Sequence, residues 1–132
     1  MSLSIPTTLS QETEVLIERV IGAALEVHRR LGPGFLESIY MRAMCIELSA
    51  QAIPFECERA LTVNYRDVPI SGQRVDLIVG NSLILELKAV SRLEPVFQAK
   101  LISYLRTTGI RVGLLINFNC PLLKEGIKRI VV

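Results

Sequence analysis

The sequence predicts a single α/β domain in which helices flank a mixed β-sheet, with elements in the order ααβββαβ. Two long segments with helical apolar spacing come first, and short β-branched and aliphatic segments follow. A third helical segment separates the last two major strands, so a crossover connection should make that pair parallel. A chain of 132 residues is long enough for one such core but not for two. We assign residues 1–12 to an N-terminal segment and residues 13–132 to the domain.

Three helices are predicted from apolar periodicity and from residues that favour helix ends. The first runs over about residues 10–31, and Ser10 is a suitable N-cap for it. The second spans roughly residues 36–51. The third covers about residues 94–108, with a proline in its first turn and Gly109 at its end.

The strand predictions rest on short runs of β-branched and aliphatic residues bounded by turn signals. The predicted strands are Phe55–Arg59, Leu61–Tyr65, residues 74–79, residues 82–88, Arg111–Phe118 and a further tail strand within Gly126–Val132. A turn is predicted at residues 66–69, between the second and third of these segments.

The hairpin formed by residues 74–88 is the most informative part of the chain, and its loop length decides which side chains share a face. A two-residue loop would place Asp76 opposite Leu85 and turn Glu86 to the other face. A three-residue loop, residues 80–82, pairs residue 79 with residue 83 and sets Asp76 directly opposite Glu86. We favour the longer loop because a one-residue slip would mix an apolar face with a charged one. In this register the apolar face comprises Val75, Leu77, Val79, Leu83, Leu85 and Leu87, and the other face comprises Arg74, Asp76, Ile78, Ile84, Glu86 and Lys88.

Two adjacent carboxylates repel each other unless a cation lies between them. Mg²⁺ suits such a pair, since it takes one or two carboxylates and keeps several waters. Lys88 projects from the same face as Glu86, where its ammonium can orient an attacking water or neutralise a phosphate. The same triplet is also compatible with a solvated sheet face that carries an ordinary salt bridge.

This acid followed by Glu-x-Lys resembles the PD-(D/E)xK nuclease superfamily, with Val75 at the position of the proline. The sequence Gly-Phe-Leu-Glu-Ser-Ile-Tyr at 34–40 resembles the pattern of the GxxExxY family, a branch of that superfamily. The similarity continues through residues 21–28, 31–34, 86–89 and 113–118, and so covers about residues 13–131. The resemblance implies a restriction-endonuclease-like core and a nuclease activity.

Site roles follow from the resemblance residue by residue. Asp76 and Glu86 correspond to the metal-binding acids, Lys88 to the catalytic lysine, and the carbonyl of Leu87 to a further metal ligand. Glu37 resembles a helix-borne acid that some branches place beside the metal, so it is a candidate catalytic residue and metal ligand. Its alternative role is that of a helix N-terminal carboxylate stabilised by the macrodipole.

Three further positions are candidates for contact with the substrate. Tyr40 lies one turn after Glu37 and can contact DNA or simply pack. Relatives often carry Gln-x-x-x-Tyr on the third helix, whereas this chain has Lys100 and Tyr104, one turn apart, with Gln98 facing elsewhere. A lysine there can bind phosphate, but it can also oppose the metal electrostatically. His28, the only histidine, is interpreted as structural, and its alternative role is that of a catalytic base.

Composition limits the class of protein and its location. The net charge is +2, too small to predict nucleic-acid binding by itself, although eleven of the fifteen basic residues are arginine. No apolar run is long enough for a transmembrane helix, and the first residues lack signal-peptide features. Three cysteines without metal-ligand spacing are typical of buried thiols in a cytoplasmic protein.

The leading hypothesis is therefore a Mg²⁺-dependent nuclease, with Mn²⁺ as a substitute ion and DNA as the expected substrate. A homodimer is a further candidate assembly, because a small nuclease needs two copies to cut both strands in one encounter. The alternative from another class is a non-catalytic nucleic-acid-binding or regulatory module that retains the fold. A purely structural oligomer is the third option.

Overall fold

The computed structural model describes residues 9–132, which form a five-stranded sheet with helices on both faces. The elements are α1 Gln11–Leu31, α2 Glu37–Ala50, β1 Phe55–Tyr65, β2 Val68–Val79, β3 Leu83–Lys88, α3 Pro95–Thr108, β4 Val112–Asn117, a short 3-10 helix Leu123–Gly126 and β5 Ile127–Val131. The predicted α/β class, the order ααβββαβ and the additional tail strand are confirmed. The prediction about the first residues of the chain, 1–8, lies outside the described residues.

The helix ends follow from local chemistry. Ser10 caps α1 by accepting a hydrogen bond from the N–H of Thr13 at 3.1 Å. Pro95 occupies the first turn of α3, where a missing N–H costs nothing. Gly109 ends that helix with φ of 76°, a left-handed conformation that glycine adopts without strain.

The sheet has the spatial order β1-β2-β3-β4-β5. Strands β3 and β4 are parallel, as the α3 crossover predicts, and the other neighbouring pairs are antiparallel. The sheet separates two core clusters, one packed under α1 and α2 and the other under α3. Successive side chains of β3 point to opposite faces of the sheet. Leu83, Leu85 and Leu87 belong to the cluster under α1 and α2, so Glu86 and Lys88 lie on the α3 side with Ile84.

The first hairpin is longer and more continuous than predicted. The two segments expected at 55–59 and 61–65 form one strand, β1. The predicted turn at 66–69 was wrong in its second half, since only Arg66 and Asp67 turn the chain, with φ of 50° and 63°. Two consecutive left-handed residues close a tight hairpin, so β2 can resume at once and continue through Pro69.

The predicted register of the second hairpin is confirmed by the pairs Val79–Leu83 and Leu77–Leu85. The prediction that Val75 belongs to the same apolar face was wrong, since Val75 packs in the α3-side cluster. The neighbouring strand explains the change, because Glu58 in β1 has φ of 51°, outside the strand region. The hairpin bends there, beside Asp76, and the alternation of side chains changes at that point.

Candidate active site

The candidate site lies where β2 and β3 separate at the end of their shared ladder, which stops at Leu77–Leu85. Beyond that pair, carboxylate side chains, rather than carbonyl groups of the neighbouring strand, accept hydrogen bonds from backbone N–H groups. Glu86 Oε1 accepts from the N–H of Asp76 at 3.1 Å, and Asp76 Oδ2 accepts from the N–H of Leu87 at 2.8 Å. Each carboxylate thus binds the backbone of the opposite strand, and the two acids lie side by side.

Burial makes this pair electrostatically costly. Only 4% of Glu86 is exposed. Burial raises the pKa of Glu86 to about 7, and the neighbouring charge of Asp76 contributes in the same direction. The pKa of Asp76 is also raised by burial, although the hydrogen bond from Leu87 opposes the shift. The site therefore carries negative charge that a bound cation would stabilise.

Lys88 supplies positive charge beside the two acids, and its own side chain is held on two sides. Its Nζ lies 4.0 Å from Oε1 of Glu37 and 4.7 Å from the ring centroid of Phe97. The lysine side chain is only 16% exposed. Phe97 belongs to the first turn of α3, and the cation–π contact restricts where the ammonium can point. No motif marks Phe97 as a site residue, and its one signal in the sequence is its place in the helix that follows β3.

Glu37 joins the site from the first turn of α2, but it lies on the lysine side of the cluster. Burial raises its pKa, Lys88 lowers it and the charge of Asp76 raises it. Within residues 9–132, no group of three or more His, Cys, Asp or Glu side chains is arranged to hold a metal ion. The role of Glu37 as a third carboxylate ligand stays a prediction, and the contact that the structure shows for its carboxylate is with Lys88.

Lys100 and Tyr104 lie together on α3, as their spacing predicts. Tyr104 is 2% exposed, and Nζ of Lys100 lies 6.0 Å from the centroid of its ring. The Tyr104 hydroxyl raises the pKa of Lys100, and the charges of Glu86 and Asp76 raise it further. Lys100 is therefore a second positive charge that faces the acidic pair.

Tyr40 packs in the protein core, where a substrate cannot reach its side chain. It is fully buried, and its ring stacks on Phe118 with centroids 4.6 Å apart. Its hydroxyl donates to the carbonyl of Gly32 at 2.6 Å and accepts from the N–H of Phe35 at 3.2 Å. Tyr40 thereby fixes the loop before Glu37 onto the end of β4, and we no longer place it among substrate contacts.

Replacing Tyr40 with phenylalanine is expected to lower the free energy of unfolding by about 1–3 kcal/mol. The ring stays, but the Gly32 carbonyl and the Phe35 N–H lose a partner. Urea unfolding followed by circular dichroism measures the change. Tyr65→Phe is the matched control, since Tyr65 is 66% exposed and should unfold like the wild type. Equal stability of both variants would contradict the role given to Tyr40.

Two further polar side chains support the site from behind. Asn117 is 5% exposed and binds both backbone groups of Val90, at 3.0 and 2.9 Å. It therefore pins the end of β4 to the segment that follows Lys88. His28 Nε2 lies 2.8 Å from the carbonyl of Cys120, a contact that is consistent with a structural role.

A mixed sheet with two facing acids on adjacent strands, and a lysine two residues after the second, defines a class of nuclease-like α/β proteins. The family model described as PD-(D/E)XK nuclease superfamily matches residues 14–130. The chain belongs to this superfamily. Nucleases of the superfamily generally use divalent metal ions such as Mg²⁺, and the family implies a nucleic-acid substrate.

The other comparisons add no relative. No curated protein and no solved structure matches the chain. Membership of the narrower GxxExxY family stays a prediction from the motif at residues 34–40. Among the helices of residues 9–132, none has the length and apolar character needed to cross a membrane.

Proposed function

We propose that this protein is a Mg²⁺-dependent nuclease that hydrolyses phosphodiester bonds in DNA. The observation that carries the proposal is the pair of carboxylates of Asp76 and Glu86, which lie side by side with raised pKa values. An ordinary solvated salt bridge would not bury two like charges together. The superfamily match supplies the class of reaction.

The donor set fits a hard divalent ion. Two carboxylates provide oxygen ligands and negative charge, which Mg²⁺ prefers, and the ion usually keeps several waters for its remaining positions. Asp76 and Glu86 are the proposed ligands, and the carbonyl of Leu87 is a third. Mn²⁺ accepts the same oxygen ligands and is the expected substitute. Glu37 is proposed as the partner that orients Lys88.

The proposed mechanism assigns a separate task to each side chain. A divalent ion bound here would lower the pKa of a water and stabilise charge on the phosphate. Asp76 and Glu86 would hold that ion, and their side chains are oriented by hydrogen bonds from backbone N–H groups. Lys88, constrained by Glu37 and Phe97, directs its ammonium towards the scissile phosphate and stabilises the negative charge that develops there. Lys100 holds an adjacent phosphate of the strand.

The second candidate function is a nucleic-acid-binding module without catalysis, and Lys100 is the observation that favours it. Its positive charge lies close enough to lower the pKa of both acids. A resident ammonium competes electrostatically with a divalent ion for the same negative charge. In this candidate, Lys88 and Lys100 neutralise the pair and contact phosphate directly.

Metal titration separates the two candidates. We expect calorimetry on the protein alone to show saturable Mg²⁺ and Mn²⁺ binding, weakened at least about 10-fold in Asp76→Asn by the loss of a charged ligand. Lys100→Gln should instead tighten binding by a few fold, since it removes the competing charge. Glu12→Gln, an exposed acid in the first turn of α1, is the control and should bind like the wild type. Absence of saturable binding, together with metal-independent DNA binding, would select the module.

A further inference from the structure

The β1–β2 hairpin continues beyond the sheet as a two-stranded ribbon, which we define as residues 62–65 and 68–71. Its cross-strand pairs are Thr62–Ser71, Val63–Ile70, Asn64–Pro69 and Tyr65–Val68. The register shifts just before it, between Leu61 and Thr62. Because β3 pairs only with Leu77–Val79 of β2, no other strand of the described residues lies beside the ribbon.

The ribbon has one apolar face. Leu61, at its base, is buried in the α3-side cluster, and side chains two and four residues later point the same way. Directly paired residues share a face, so the apolar face consists of Val63, Tyr65, Val68 and Ile70. The opposite face consists of Thr62, Asn64, Pro69 and Ser71. The apolar face is therefore a continuation of the α3-side core.

Nothing in residues 9–132 covers the outer part of this face. Tyr65, Val68 and Ile70 are 66%, 59% and 53% exposed. At the base of the ribbon, residues 59–62 of β1 and residues 107–108 of α3 line a common cavity of about 450 Å³. A two-stranded hairpin is marginally stable in water by itself, and contiguous exposed apolar surface generally marks an interaction site.

We propose that the apolar face of the ribbon packs against the same face of a second copy of this chain. The two ribbons lie antiparallel, related by a two-fold axis that passes near Val63. Such an interface is self-complementary, because each contact from one copy to the other occurs twice. Tyr65 of each copy then covers the apolar surface at the base of the other ribbon.

Charge at the two ends of the face selects this arrangement. Arg59 shares the apolar side because it pairs with Val75, whose side chain lies in the α3-side cluster. Asp67 is in the two-residue turn at the far end, about 10 Å along the ribbon from Val63, and Arg59 is about 13 Å from Val63 in the other direction, a difference that the long arginine side chain can span. The antiparallel arrangement therefore brings Arg59 of one copy to Asp67 of the other, at both ends.

The same face is a poor match for nucleic acid. Phosphate contacts need clustered lysine or arginine, whereas the four side chains of the face are uncharged. At the tip, Asp67 cancels the charge of Arg66. The apolar face offers on the order of a few hundred Å² per copy, below the roughly 800 Å² of a standard interface, so we expect a weak dimer. Its dissociation constant should lie between about 10 and 100 μM, within the range that the test below covers.

Sedimentation equilibrium of the full chain, from about 5 to 500 μM, tests the proposal. The wild type should shift from monomer to dimer over this range, and Val68→Glu should stay monomeric. Asn64→Glu, on the polar face of the same ribbon, is the matched control and should dimerise like the wild type. Asp67→Arg should weaken the dimer at least about 10-fold, and the double variant Asp67→Arg with Arg59→Asp should restore it. The readout does not depend on nuclease activity.

A second variant keeps the proposal testable if Val68→Glu disturbs the ribbon. Val63→Cys, near the axis, should form a disulfide-linked dimer under mild oxidation by oxidised glutathione, whereas the wild type, with its own free cysteines, should not. A wild type that stays monomeric at the highest concentration would overturn the proposal, as would a Val68→Glu variant that still dimerises. A monomeric protein whose DNA affinity falls in Val68→Glu would overturn it in favour of a nucleic-acid contact.

Discussion

Replacing Lys88 with methionine is expected to slow DNA cleavage by about 10²- to 10³-fold while Mg²⁺ binding is retained. Methionine keeps most of the apolar stem that packs beside Phe97, so the loss reports the ammonium group and not the packing. Cleavage of plasmid and of single-stranded DNA in saturating Mg²⁺ measures the rate, and calorimetry measures the metal.

Lys128 provides the matched control for this experiment. It lies exposed on β5, an edge strand, and Lys128→Met removes the same charge from the same chain. Its cleavage rate should stay within about 3-fold of the wild type, as expected for a surface substitution. If Lys88→Met cleaved as fast as Lys128→Met, the ammonium would have no part in the reaction. Parallel loss of metal binding in Lys88→Met would instead point to a structural role.

The juxtaposition of Asp76 and Glu86 could be predicted from the sequence because local chemistry determines it. A loop of glycine, asparagine and serine allows the left-handed backbone of a three-residue hairpin, and Asn81 indeed has φ of 56°. The alternation of apolar and charged residues then selects one register, since any slip would bury charge against α1 and α2. Helix ends were predictable for the same reason, through residues such as Ser10 and Gly109.

The parts that could not be predicted depend on contacts between segments distant in the chain. Arg66 and Asp67 are poor signals for a tight hairpin turn, which usually contains glycine or asparagine, so the length of β2 was underestimated. The bend at Glu58 lies in an exposed part of β1, and no residue type beside it, such as glycine, indicates the bend in the sequence. Because of that bend, Val75 lies on the other side of the sheet.

The contacts that the site residues make with one another also could not be predicted from the sequence. The motif places Glu37 near the acids, but only the packing of α2 against β3 shows that it approaches Lys88. The tyrosine of the same motif is recognisable, yet its burial depends on Phe118, about eighty residues later. The motif therefore identifies which residues belong near the site. Their roles depend on which helices and strands meet at the end of the sheet.

The second large effect expected is a pH dependence of stability that originates at Glu86. In the metal-free protein its pKa is raised from 4.5 to about 7. Between these values the unfolded chain ionises freely, whereas the folded protein must ionise a buried carboxyl beside Asp76. The unfolded state therefore binds fewer protons, and the free energy of unfolding falls as the pH rises through this window. A shift of this size corresponds to at most about 3 kcal/mol.

Urea unfolding in EDTA at several values between about pH 4.5 and 8 measures this dependence. The wild type should lose stability across the window, and Glu86→Gln should show a much flatter profile, because an uncharged amide can still accept the hydrogen bond from Asp76. Glu12→Gln, on the surface, should retain the wild-type slope. Saturating Mg²⁺ should oppose the loss at the upper end, since a bound cation favours the ionised carboxylates and stabilises the folded state. Parallel profiles for the wild type and Glu86→Gln would mean that the pKa of Glu86 is not raised in the folded protein. The two carboxylates would then not repel each other measurably, and the metal proposal would lose the uncompensated negative charge on which it depends.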